Sequence, residues 1–200
     1  MCGRYKLSAR HADVQKHFDL IDGKFEFTPS DEIFPGTNIL AVNKDHRAEN
    51  VFWTIEDRDF KGVMRKVINA KAETVHFVPM FKDAYKNGRI LIPATGFYEW
   101  KDLPDKKKEK YEFEVDEPLF AFAGISRDCE IKGETRSCGV ILTTDANDVV
   151  RPIHAKGRMP VILHKYDYEK WLDPETPATE LKRLMQPLPN EEIRAKKAGD

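Results

Sequence analysis

The sequence predicts an α+β fold: a single domain on a mainly antiparallel, barrel-like β-sheet core with a few short helices. Three observations carry that expectation. The chain has 200 residues, long enough to bury a sizeable core without disulfides or a metal. Its hydrophobic period shifts between helical spacing and strand alternation. And about eight short strand-like segments are interspersed with few helical ones, with no internal repeat and no boundary that would split the domain.

In order along the chain, Ser8 is placed to cap a helix reaching about Leu20, with Val14 and Phe18 four residues apart on its buried face. Ile39 to Val42 and Val51 to Ile55 read as strands around a polar turn. Ala72 to Asn87 has helical composition interrupted by Pro79, which predicts two short helices. After the Asn87-Gly88 stop, Arg89 to Pro93 and Gly96 to Trp100 are strand material, and residues 101–110 form a charged hairpin tip. Tyr111 to Val115, Leu119 to Ile125 and Ser137 to Thr143 follow as strands, the first alternating apolar residues with glutamates. Asp145 to Arg158 has loop composition around one histidine. Val161 to Leu163 is short and apolar, and Tyr168 to Leu172 is a helical turn ended by Asp173-Pro174. Beyond Leu184 the chain is polar, with prolines at 187 and 189. The domain is therefore expected to span 1–186, and 187–200 to form a poorly ordered polar tail.

Charge removes the simplest nucleic-acid argument: 33 Lys and Arg against 34 Asp and Glu leave a formal net charge of −1, so a polyanion site must be a local patch. No apolar run approaches the ~20 residues of a spanning helix, and Met1-Cys2-Gly3-Arg4-Tyr5 is no signal peptide; a cytosolic or nuclear protein without membrane contact is expected. Three widely spaced cysteines, Cys2, Cys129 and Cys138, suit neither a disulfide framework nor a CxxC zinc pair, and the six histidines show no ligand spacing. Reduced thiols, and no metal or cofactor, are expected.

Cys2 is the most unusual placement. It reads either as a small buried residue or, after trimming of Met1, as a free N-terminal cysteine carrying an amine and a thiol on adjacent carbons. Such a pair can condense with an aldehyde through the amine and close a thiazolidine ring through the sulfur. A free α-amine of pKa about 7.7–8.0 is already partly neutral at pH 7, and Arg4 nearby is expected to lower the thiol pKa or hold a phosphate. Glu99, between aromatics in Ile92-Pro93-Ala94-Thr95-Gly96-Phe97-Tyr98-Glu99-Trp100, is either an outward-facing strand-end residue or a buried acid with a raised pKa suited to proton transfer. His154 is either a surface loop residue or catalytic, and Asn69 by itself reads as a cap or turn former.

Together and in this order, Cys2-Gly3-Arg4-Tyr5, Asn69-Ala70-Lys71-Ala72-Glu73-Thr74, Ile92 to Trp100, Phe120-Ala121-Phe122-Ala123-Gly124, Thr143-Thr144-Asp145-Ala146-Asn147, and Ile153-His154 with Arg158-Met159-Pro160 resemble the SRAP family of abasic-site processing proteins. The resemblance covers Cys2 to about Leu172 and implies a SRAP-like fold. It also implies an enzyme that binds single-stranded DNA and captures the ring-opened abasic sugar as a thiazolidine crosslink after removal of Met1, as a monomer in the cytoplasm or, in a eukaryote, the nucleus. By position, Cys2 is the nucleophile, Asn69 holds the N-terminus and sugar, Glu99 shuttles protons, and His154 contacts the opened sugar and helps reversal. Lyase-type behaviour at the Schiff-base stage and self-processing at Met1 are implied as well. The implied DNA-binding set is Gly3, Arg4, Pro35, Trp53, Lys71, Thr143 and Arg158.

The chain departs from the family pattern in three places. Lys71 stands where Arg is usual, and Trp53-Thr54-Ile55-Glu56-Asp57 replaces a Trp-rich wedge, leaving Phe60 as a substitute aromatic. Two extra residues separate His154 from Arg158. Two other readings stand beside this one: a cysteine peptidase or N-terminal-nucleophile hydrolase using Cys2 and His154, and a noncatalytic module stacking bases on Trp53, Phe97, Tyr98 and Trp100.

Overall fold

Strand propensity dominates the chain, and a computed structural model describing residues 2–21, 25–58, 61–131 and 133–199 shows how the strands are joined. In order they are β1 (Tyr5–Leu7), β2 (Ser30–Ile33), β3 (Asn38–Val42), β4 (Ala48–Trp53), β5 (Ile55–Arg58), β6 (Met64–Val67), β7 (Asn69–Lys71), β8 (Arg89–Ala94), β9 (Gly96–Asp102), β10 (Lys108–Val115), β11 (Phe120–Ile131), β12 (Glu134–Asp145), β13 (Arg158–Pro160), β14 (Ile162–Leu163) and β15 (Ile193–Lys197). The helices are α1 (His11–His17), α2 (Pro79–Asn87), α3 (Tyr168–Leu172) and α4 (Ala178–Leu184). No helix among the described residues is long and apolar enough to cross a membrane.

The core is a closed barrel. Strands β12, β4, β3, β8 and β11 pair in that order, and β11 returns to β12 through eight residue pairs from Gly124↔Ile141 to Ile131↔Glu134. Only the β12–β4 junction of this ring is parallel. Closure leaves β8 buried at every position and makes the apolar run 120–125 of β11 inaccessible on both faces. The ring is tight. A Cβ on Gly124 would come within 2.6 Å of Ile92 Cδ1, and one on Gly139 within 2.7 Å of Val51 Cγ1.

A second sheet, ordered β15-β10-β9-β1-β2, grows from the barrel because β8 runs through Thr95 into β9. Helix α2 begins with Pro79, whose missing N–H costs nothing at a first-turn position. The buried Arg89 guanidinium donates to the carbonyls of Tyr85 (2.7 Å) and Trp171 (2.6 Å), tying the ends of α2 and α3 to the barrel.

The α+β class and the antiparallel, barrel-like core are as predicted, and several elements differ. Ser8 caps no helix; its N–H and hydroxyl meet Thr95 Oγ1 at 3.1 and 3.3 Å, and α1 starts at His11. Residues 72–77 form turns, with Pro79 starting one helix where two were expected. Val51 to Ile55 breaks at Thr54 into β4 and β5. The tail is ordered: β15 pairs with β10 from Tyr111↔Lys197 to Val115↔Ile193, and Leu188 and Ile193 are buried. An edge strand supplied with an existing ladder needs only one apolar anchor, which a composition reading overlooks.

Candidate active site

The first residues of the chain are fixed by the second sheet. Tyr5 opposes Phe97, Lys6 opposes Gly96, and the Tyr98 N–H donates to the Arg4 carbonyl at 2.9 Å, so residues 2–4 run beside 98–100. Cys2 is wholly buried, its thiol directed at the Arg4 carbonyl in a long 3.9 Å contact. Burial first, and the charge of Glu99 second, push the thiol far above its ordinary range. The expected lowering by Arg4 is thus corrected. That guanidinium bonds Glu32 at 3.1 Å and lies over the rings of Phe34 (4.2 Å) and Trp100 (4.8 Å), leaving only its backbone carbonyl to the sulfur. Glu32 also pairs with Lys110.

Glu99 faces inward from β9 at 4% exposure, and burial raises its carboxyl from 4.5 to about 7. His154 sits in the β12–β13 connection, a tight loop in which its N–H donates to Val150 O (3.0 Å) and its carbonyl accepts from Gly157 N–H (2.8 Å). The Arg158 backbone N–H donates to His154 Nδ1 at 3.1 Å. The neutral ring therefore carries its proton on Nε2, which faces Glu99 Oε2 at 3.6 Å. Burial, with Lys156 and Arg158 adding repulsion, lowers His154 to about 4. Near pH 7 the pair comprises a neutral imidazole and a carboxyl close to half ionised, a combination able to give and take a proton. Glu99 Oε1 and Asn69 Oδ1 are both buried and unpartnered.

Asn69 is a strand residue, not a cap. Strand β7 pairs in parallel with β12, placing Asn69 opposite Ile141, to whose carbonyl its amide donates at 3.3 Å, and Lys71 opposite Thr143. Arg158, opposite Asp145 on β13, makes a two-pronged pair with Glu73 (2.7 and 2.8 Å) and bonds Asp145 (2.8 Å) and the Thr143 carbonyl (2.5 Å). These ladders and the Arg158–His154 bond bring Asn69, Thr143, Arg158 and His154 into one region. Lys71 is exposed.

The expected DNA-contact set is divided. Gly3 and Arg4 are half-buried beside Cys2, and Pro35 is half-buried next to Phe34, which is 42% exposed. Thr143, expected to bind DNA, is 1% exposed, its hydroxyl toward Ala70 O at 3.5 Å and its carbonyl bonded by Arg158, so its role is corrected to support of β7 and Arg158. Trp53 is also corrected. It is fully buried, edge-on to Tyr5 at 5.4 Å, and its indole N–H donates to Ile68 O at 2.9 Å, so it presents no face to a base. Phe97 and Tyr98 are buried as well, leaving half-buried Trp100 of the four aromatics considered for stacking. Phe60 and Met1 lie outside the described residues. Sequence reasoning missed Phe34, Glu32 and the role of Glu73. Phe34-Pro35, an apolar pair in a polar stretch, was the available signal for the first.

A closed α+β barrel with a buried cysteine next to a carboxyl–imidazole pair is the class of protein that fold and site define. Residues 1–199 match the model of the SOS response associated peptidase (SRAP) family, and the chain belongs to that family. The chain is 35% identical over 207 residues to the abasic site processing protein YoaM of Bacillus subtilis, covering 98% of this chain and 89% of that protein. It is 28% identical over 195 residues to the abasic site processing protein YedK of Escherichia coli, covering 92% and 85% respectively. A crystal structure of a protein from Bacteroides thetaiotaomicron superposes with a TM-score of 0.88 at 24% identity, covering 100% of this chain and 93% of that one, and shares its fold.

Proposed function

We propose that this chain processes abasic sites in single-stranded DNA as a monomer, the N-terminal Cys2 exposed by removal of Met1 capturing the ring-opened sugar aldehyde as a thiazolidine. One observation carries the reading: a buried acid near neutrality, Glu99 at about 7, lies 3.6 Å from a neutral histidine and close enough to Cys2 to disfavour its thiolate. The names of the relatives support the same substrate.

The chemistry follows from the protonation states. A thiol held neutral does not attack first; the amine does. It adds to the aldehyde carbon, and protonated Glu99 delivers the proton with which the hydroxyl leaves as water, giving the Schiff base. The Glu99 carboxylate then accepts the thiol proton as sulfur adds to the same carbon and the C=N electron pair passes to nitrogen. Asn69 Oδ1, buried and free, is available to the amine or a sugar hydroxyl. His154 Nε2–H is placed to donate to the opened sugar and to assist reversal. Lyase-type cleavage from the Schiff base and self-removal of Met1 belong to the same proposal, with Arg4, Lys71 and Arg158 as the phosphate contacts. A cysteine peptidase is disfavoured by the same numbers. It needs a thiolate stabilised by an imidazolium, and His154, lowered to about 4, is neutral at pH 7.

The test is the intact mass of the processed protein after incubation with an abasic single-stranded oligonucleotide. A heat-stable adduct at the N-terminal peptide, absent in Cys2→Ala and in protein retaining Met1, is expected. The same stable adduct in Cys2→Ala would overturn the reading.

A further inference from the structure

A cavity of about 590 Å³, within the roughly 300–1,000 Å³ of small-molecule sites, enters no step of the chemistry above. Four elements wall it. Ala72 and Glu73 follow Lys71 out of β7, and Thr144 and Asp145 end β12. Helix α4 and the residue that closes it contribute Ala178, Lys182 and Met185, which share one helix face by their spacing of four and three. Tyr85, half-buried on α2, adds an aromatic ring. The polar groups carry both signs. Lys182 is exposed and makes no ion pair among the described residues. Glu73 gives both carboxylate oxygens to Arg158, whereas Asp145 gives only Oδ1, so Asp145 Oδ2 remains to accept from a ligand. The cavity also adjoins the groups assigned to the strand: Lys71 precedes Ala72, and Arg158 bonds His154 through its backbone N–H and the cavity carboxylates through its guanidinium.

We propose that this cavity receives a guanine base of the DNA strand close to the abasic site, an inference that rests on the function proposed above. Guanine carries the acceptors O6 and N7 on one edge and the donors N1–H and N2–H₂ beside them. The acceptors match the Lys182 ammonium, the donors match the Asp145 carboxylate, and the flat ring matches the surface of Tyr85 and Met185. Adenine offers only one amino donor and N7, and thymine has no amino group at all. A base held here ranks the sequence contexts around a lesion. Recognition of the lesion itself stays with Cys2.

The test measures, by fluorescence anisotropy, binding of the processed protein to single-stranded oligonucleotides holding a tetrahydrofuran abasic analogue, which has no aldehyde and so forms no covalent bond. Guanine is moved through successive positions on either side of the analogue in an otherwise all-thymine strand. At one position guanine is expected to bind about tenfold more tightly than thymine, the lower range for a well-paired base contact, with adenine between them. Lys182→Ala removes the donor, and Ala178→Trp fills the cavity from an exposed helix position. Each is expected to abolish the difference at an unchanged melting temperature. Equal affinities at every position, or a guanine preference that survives either substitution, would overturn the proposal. Free guanosine monophosphate that raises the melting temperature of wild type but not of Ala178→Trp, with no strand preference, would also overturn it and assign the cavity to a free nucleotide. The function proposed above is read separately, on an all-thymine strand with a natural abasic site. Failure to form the Cys2 adduct there would remove that function, and the base preference alone would then decide what the cavity holds.

Discussion

Replacing Glu99 by glutamine should make the protein more stable and less active at the same pH. The carboxyl is raised from 4.5 to about 7 by burial. Between those values the folded chain holds a proton that the unfolded chain has released, so stability falls as pH rises through the window and is level above it. At about 1.4 kcal/mol for each tenfold change in proton affinity, the loss is about 3 kcal/mol. The substituted amide stays neutral throughout. The variant should match wild type at pH 4, gain progressively through the window, and lead by about 3 kcal/mol at pH 8. His154 acts with the opposite sign: lowered from 6.5 to about 4, it makes stability rise with pH across that interval. Between pH 4.5 and 6.5 the slopes of this pair cancel in the wild type, and Glu99→Gln should leave the His154 contribution uncompensated, so the variant-minus-wild-type difference is the quantity that isolates Glu99. Urea unfolding at pH 4, 6 and 8 measures the difference. Crosslinking to an abasic oligonucleotide should fall by about 10²–10⁴, the scale of a lost general acid–base. A difference in stability independent of pH, or a variant weaker than wild type at pH 8, would mean that Glu99 is held ionised, and the proton-transfer argument would collapse with it.

Three further outcomes are expected. Glu32→Gln releases Arg4 and Lys110, so affinity for single-stranded DNA should rise, and its logarithmic salt dependence should steepen by about 0.7 for each phosphate gained; an unchanged slope would show that neither cation reaches DNA. Trp53→Ala should cost about 3–5 kcal/mol in denaturant unfolding as a core truncation, and folded Trp53→Phe should bind DNA normally; selective loss of binding at full stability would return this ring to the DNA interface. Ile193→Ala should cost about 2–5 kcal/mol by unfolding β15 from β10, and a silent change would restore the disordered tail.

What could be read from sequence divides along physical lines. The long apolar strands of the barrel were legible because closure buries both faces and leaves unbroken runs such as 120–125. The edge elements β2, β6 and β15 were not, since strands such as Met64–Val67 take their stability from a partner's ladder more than from their own side chains. In the site, Glu99 and His154 were visible as a carboxylate in an aromatic strand and a lone loop histidine. The protonation state of Cys2 was read wrongly because chain neighbours suggested Arg4 as its partner. Only the register of β1 against β9 shows that guanidinium committed to Glu32, with the sulfur sealed beside Glu99. Trp53 failed for a related reason: an indole reads alike from sequence whether it stacks on a base or donates inward to Ile68 O.

The ion pairs sharpen the meaning of a net charge of −1. Both arginines assigned to phosphate already have carboxylate partners, Arg4 with Glu32 at 3.1 Å and Arg158 with Glu73 and Asp145 at 2.7 and 2.8 Å. A phosphate arriving at either site must displace a carboxylate, so each contact contributes the difference between two ion pairs, which at partly exposed sites is small. Lys71, exposed on β7, makes no ion pair within 4.0 Å among the described residues, although its charge acts on Glu73, so it is the cation of the set most free to meet a phosphate. Noncovalent affinity for undamaged single strands should therefore be weak, with a shallow salt dependence that reflects the few phosphates neutralised. Under the proposed chemistry that weakness is useful: a protein that leaves intact DNA readily and is held only where an aldehyde reaches Cys2 draws its selectivity from the bond it forms, with little contribution from the surface it presents.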